Sequence, residues 1–242
     1  MEAVGRQKGI ERKGGVFGVL LLALTLAGST SLCSGKEAPF AAQTVNPTLT
    51  IHIYNDAAIS PKTLREAENI AVTVFRKAGV ETQWLDEDPN RDPGHEARAF
   101  YSTDVAVRIA PHFMAQSLGQ SGDALGVAPG IGPNRHLVYV FYGRAEQLVR
   151  QSKTEQMRQA LVGRFFYPAP TLGQLLGHAI AHELGHLLGL EVHSPTGIMR
   201  AGWNLADLRT ILYGDLAFTY DQAEIIRAEA SRRVAAESRR RQ

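Results

Sequence analysis

A-H-E-L-G-H-L-L-G-L-E-V-H-S-P-T-G-I-M, residues Ala181 to Met199, decides how the rest of the chain is read. His182 and His186 stand four apart, so on a helix they lie one above the other on one face. That spacing lets two imidazole nitrogens meet one metal ion about 2.0–2.1 Å from each. Glu183 comes next round the helix from His182, beside such an ion rather than on it, where its carboxylate can take a proton from a water. Gly189, seven residues after His182, is a natural helix end, because glycine enters the left-handed conformation at little cost. The turn it makes delivers His193 as a third ligand and leaves a fourth position open, which separates a catalytic zinc site from a closed structural one. Glu191 is the competing third ligand, although so early in the turn it is expected to point away from the pair; a site with no third protein ligand also stays open. An amphipathic helix that carries histidines by chance would leave the glutamate, the glycine, the downstream histidine and Met199 unexplained.

With these residues the chain resembles the metzincin clan of zinc metallopeptidases, whose signature is H-E-x-x-H-x-x-G-x-x-H followed by a methionine-bearing turn. His182, Glu183, His186 and Gly189 match position by position. The family's third histidine falls on Val192, and this chain has His193 one residue later. Met199 stands where the turn methionine belongs, and the resemblance makes it the floor beneath the metal, binding nothing. The specific match is confined to 181–199. What it implies is an α/β (α+β) metzincin-like fold: a mixed twisted sheet with helices in an upper half, the zinc-binding helix and the C-terminal helix in a lower half, and a cleft between. It further implies Zn²⁺ as cofactor, a peptide or protein as substrate, an edge strand on the cleft roof that pairs with extended substrate, and Glu183 as the general base of peptide hydrolysis. An inactive zinc-binding or peptide-binding module on the same fold is the alternative, with Glu183 as the residue that speaks against it.

The rest of the chain supplies a setting of that order. Leu49 to Tyr54 alternates as a strand does. Ser60-Pro61 opens a helix whose apolar positions, Leu64, Ala67, Ile70, Ala71, Val74, Phe75 and Ala78, run at helical spacing to Gly79. Val80 to Leu85 is a second strand, and the strand–helix–strand order predicts parallel pairing. Asp86 to Glu96 is an acidic, proline-broken connection whose carboxylates miss the alternation of a calcium loop. Val105 to Ile109 is a third strand; Leu125 to Ala128, hemmed by glycine and proline, fits only a sheet edge. Leu137 to Tyr142 is a continuous apolar run, expected to be a central strand buried on both faces. Helices are expected over 144–162, over 172–188 with Thr171 as cap, over 203–213 and over 219–234, the last ending in a solvated arginine tail at 235–242. His178, one turn before His182, reads as a core histidine or a support behind a ligand. Tyr213 and Tyr220 are candidates to reach the metal as hydrogen-bond donors.

The ends bear on location and partners. Arg6, Lys8, Arg12 and Lys13 precede a twelve-residue apolar run, Val16 to Ala27, and small residues follow, so 1–34 reads as an export signal. An uncleaved N-terminal membrane anchor is the alternative, since the run extends to Leu32. Export predicts a secreted, periplasmic or otherwise extracytoplasmic protein, with 35–47 as a flexible lead-in and 48–234 as one catalytic domain, expected to be a monomer. Cys33 is the single cysteine, so a mature domain has no internal disulfide. The formal charge of +2 comes from the ends: residues 14–231 hold 17 basic against 21 acidic side chains. A mildly acidic body excludes nucleic acid as an expected partner.

Overall fold

The computed structural model describes residues 46–87, 101–120, 124–129, 136–163 and 168–242. The export signal, Cys33, most of the lead-in and residues 88–96 of the acidic connection lie outside them. β1 (Thr48–Tyr54) buries Leu49, Ile51 and Ile53. The chain turns into α1 (Pro61–Lys77), where Ser60 Oγ accepts the Thr63 amide and Pro61 takes the first helical position. β2 (Glu81–Glu87) returns parallel to β1, with Thr48 opposite Glu81. β3 (Asp104–Ala110) pairs parallel on the other side of β1, and a short helix, α2 (His112–Ser117), follows it. β4 (Gly126–Val127) lies antiparallel to β5 (Leu137–Phe141), which is itself parallel to β3. The sheet order is β2-β1-β3-β5-β4, so the two-residue β4 stands at an edge, as its glycines and prolines require.

Among the described residues, four further helices complete a mixed α/β fold: α3 (Tyr142–Leu161), α4 (Leu172–Leu187), α5 (Leu205–Leu212) and α6 (Tyr220–Arg240). Thirteen of the sixteen α4 residues are buried, because the helix packs against α1 and against β5. Gly173 and Gly177 let α1 come that close: a Cβ on Gly177 would stand 2.5 Å from the Ala67 carbonyl oxygen, and one on Gly173 would strike Glu66. The core between sheet and helices is continuous, from Ile51, Val107 and Val140 to Phe75, Leu176 and Ile180.

Three expectations change. Val138 and Val140 are fully buried but Leu137 and Tyr139 only half so, because the pleat sends them to opposite faces and one face is closed less completely. Tyr142 leaves the strand and begins α3. α5 starts at Leu205, after an Asn204 capping box, and leaves Trp203 outside the helix. α6 runs on to Arg240 instead of fraying at 234, since its last turns are tied to the body. There the buried Glu237 carboxylate accepts the Ser102 amide (3.1 Å), and buried Arg233 donates to the Leu187 carbonyl (3.2 Å). Among the described residues no helix is long and apolar enough to cross a membrane.

Candidate metal centre

α4 begins on a closed capping box: Gln174 N donates to Thr171 Oγ1 (3.0 Å) and Thr171 N to Gln174 Oε1 (2.9 Å). It ends on a Schellman turn, in which Gly189 N donates to the His186 carbonyl (3.2 Å) and Leu190 N to that of Gly185 (3.0 Å). Gly189 makes this possible with φ +101°. The turn brings the Leu190 carbonyl back to His186, whose Nδ1 donates to it at 2.5 Å. Nine residues beyond Gly189 the Ile198 carbonyl accepts His182 Nδ1 at 2.7 Å. Ser194 N bonded to the Met199 carbonyl (2.8 Å) and Ile198 N to that of Ala217 (3.1 Å) hold the intervening loop.

A carbonyl oxygen only accepts, so His182 and His186 carry their ring protons on Nδ1 and present bare lone pairs at Nε2. Those two Nε2 atoms are 3.1 Å apart, and His193 Nε2 lies 3.3 Å from each. Lone pairs at 3.1 Å repel; a cation among them turns the repulsion into coordination. A tetrahedral ion with ligands at 2.0–2.1 Å holds them about 3.3–3.4 Å from one another, which this triangle nearly reproduces. Burial pushes the His182 imidazole down to about 4, against the hydrogen bond to Ile198, which favours the charged ring, so it is neutral near pH 7 as a ligand must be. Among the described residues, His182, His186 and His193 are the group able to hold a metal ion. Glu191 and Val192 form an exposed step of the loop before His193, with Val192 79% exposed. Glu191 is in the wall of the adjoining cavity and outside the triangle.

Glu183 is buried, and desolvation pushes its carboxyl up to about 8. The β4 edge lies directly on it: a Cβ on Gly126 would come 2.6 Å from Glu183 Cγ. Between β4 and α4 opens a cavity of about 520 Å³ that reaches His182, Glu183, His186 and His193. Leu148 and Arg144 of α3 close one side, and Trp203 another. Met199 is fully buried, its sulfur where a Cβ on Gly185 would come within 2.8 Å. Gly185, one residue before His186, is thus what admits the methionine beneath the helix.

His178 is buried, donates Nδ1 to the Gln174 carbonyl (2.8 Å) and stays out of the triangle. Tyr213 and Tyr220 are 62% and 74% exposed and line no part of the cavity. Gly126, Gly185 and Trp203 were missed as site residues. A glycine between two helical ligands, costing about 1 kcal/mol against alanine, was a signal of close approach; nothing local marked Trp203.

No family model matches the chain, and no curated protein does. Among solved structures it is similar to a chain of the ECX AB5 holotoxin in its GM1-bound form, at 14% identity and TM-score 0.39, over 76% of this chain and 80% of that one. It is also similar to the archaemetzincin of Methanopyrus kandleri, at 14% identity and TM-score 0.38, over 79% of this chain and 99% of that one. Both scores are low, and what the site can do rests on its own residues.

Proposed function

We propose that this chain is a zinc-dependent peptidase, exported from the cytoplasm and acting as a monomer on peptide or protein substrates. One observation carries the reading: three Nε2 atoms at tetrahedral spacing open into a cavity that a buried glutamate also lines. Zinc bound there supplies a Lewis acid that polarises a carbonyl and acidifies water. His182, His186 and His193 would hold the ion, the first two being oriented by the Ile198 and Leu190 carbonyls. With the charge of a bound ion beside it to hold its carboxylate ionised, Glu183 would take up a proton from the attacking water and release it to the leaving amine. The free side of β4 pairs with an extended substrate laid along the cavity. Burial keeps bulk water from the carboxyl.

Glu183 separates this reading from an inactive zinc-binding module, which has no use for a buried base beside the ligands. The test is zinc content together with hydrolysis of a mixed peptide library by wild type and Glu183→Ala. The variant is expected to keep one zinc and lose turnover by roughly a hundredfold or more, the scale of a lost general base. Hydrolysis at the wild-type rate would overturn the mechanism, and zinc without turnover in the wild type would favour the binding module.

A further inference from the structure

Trp203 lies outside the H-E-x-x-H pattern, yet it touches the same carbonyl that orients the first histidine. Its Nε1 donates to the Ile198 oxygen at 3.2 Å, and His182 Nδ1 donates to that oxygen at 2.7 Å. A carbonyl oxygen has two lone pairs, so the two donors together fill its capacity and hold its direction. The Ile198 amide, in the preceding peptide unit, is bonded to the Ala217 carbonyl, so the residue is anchored at both its N–H and its C=O. The indole also meets His182 edge-to-face (centroids 6.2 Å apart, planes at 79°) and His178 likewise (6.5 Å, 89°). One half-buried side chain therefore touches the His182 ring, its acceptor and the next histidine along α4, while forming a wall of the cavity.

From this geometry we infer that Trp203 is a positioning residue for His182: by sharing the Ile198 carbonyl it holds the imidazole in the Nδ1–H tautomer, with Nε2 turned into the metal centre. The inference rests on the metal reading of the triangle, and concerns how that triangle is kept ready. Without the indole N–H, the Ile198 carbonyl is free to swing, His182 loses its fixed acceptor, and the Nε2–H tautomer, which cannot bind a metal through Nε2, becomes populated. A tryptophan that only fills space would leave the tautomer unchanged when its N–H alone is removed.

The experiment compares wild type with two variants that lack the N–H. Trp203→Phe keeps an aromatic ring, and Trp203→benzothienylalanine keeps the whole bicyclic shape should the phenylalanine protein fail to fold. In metal-free protein near pH 7.5, ¹⁵N chemical shifts of the His182 ring report its tautomer; competition with a chromophoric chelator reports zinc affinity; and thermal melting of the metal-free protein reports the fold. Expected are the Nδ1–H form in wild type, a mixture in both variants, and zinc binding weakened roughly 10- to 100-fold with little change in the metal-free melting temperature. A wild-type tautomer together with zinc affinity within twofold of wild type, in either variant, would overturn the inference. If the wild type takes up no zinc, the metal reading fails by itself, and the tautomer comparison still decides what Trp203 does.

Discussion

His182 and Glu183 are adjacent, and one physical cause, removal from water, moves their proton affinities in opposite directions. In metal-free protein this makes stability depend on pH from two sides. Between about 4.5 and 8 folded Glu183 keeps a proton that the unfolded chain has released, so stability falls as pH rises through that window and stays low above it. His182, lowered from 6.5 to about 4, refuses a proton the unfolded chain accepts, so its contribution falls as pH drops from 6.5 towards 4. Metal-free Glu183→Gln is therefore expected to melt above metal-free wild type at pH 8, by at most about 5 kcal/mol of stability, with the difference vanishing near pH 4.5. Identical melting curves at pH 8 would mean that the carboxyl is not desolvated there. At this scale the grouping of His182, His186 and His193 was legible because their relation is local, fixed by helical spacing and one turn. Gly126 and Trp203 were not, because what they touch, Glu183 and the Ile198 carbonyl, is set by packing across the sheet edge and the loop.

α4 shows how an element converts sequence order into geometry. Its beginning and end were readable from Thr171 and Gly189, and its depth from an apolar surface nearly all the way round. The Schellman turn does more than stop it, since the residue after the glycine orients His186. Gly189→Ala must hold a methyl group at φ +101°, 3.3 Å from Ile225. The expected loss is about 1–2 kcal/mol of stability, the cost of a left-handed non-glycine residue, with weaker zinc binding alongside it. Chemical denaturation and chelator competition read the two effects; a variant unchanged in both would show that the turn tolerates another conformation. Elsewhere, element types were easier to read than their limits. The sequence marks no end to α6 at 234 or at 240; the Glu237–Ser102 bond, between segments far apart in the chain, decides it.

Across the described residues, a five-stranded sheet and the α1–α4 pair form the core, while the candidate metal centre sits at the margin where β4, α4 and the 190–203 loop meet. Alternating strands, a capped helix and an apolar run made the parallel order of β1, α1 and β2 foreseeable. The pairing of β4 with β5 beside the ligands depends on long-range contacts that no local pattern encodes. If zinc binds the folded chain as proposed, chelation should lower the melting point by mass action: about 2.7 kcal/mol is lost where free zinc had been a hundredfold above its dissociation constant. Calorimetry with and without chelator checks this, and a zinc-independent transition would place the ion outside the folded unit.

All three imidazoles come from twelve consecutive residues, His182 to His193. An ion gripping them closes only a short stretch of chain, and the entropy such closure removes from the unfolded ensemble grows with loop length and is correspondingly small here. Zinc in this protein would act as a clasp on one turn rather than as a rivet joining distant parts. Loading and release then become local events, complete while the sheet stays intact, and the occupied fraction follows the free zinc of the surroundings rather than the history of folding.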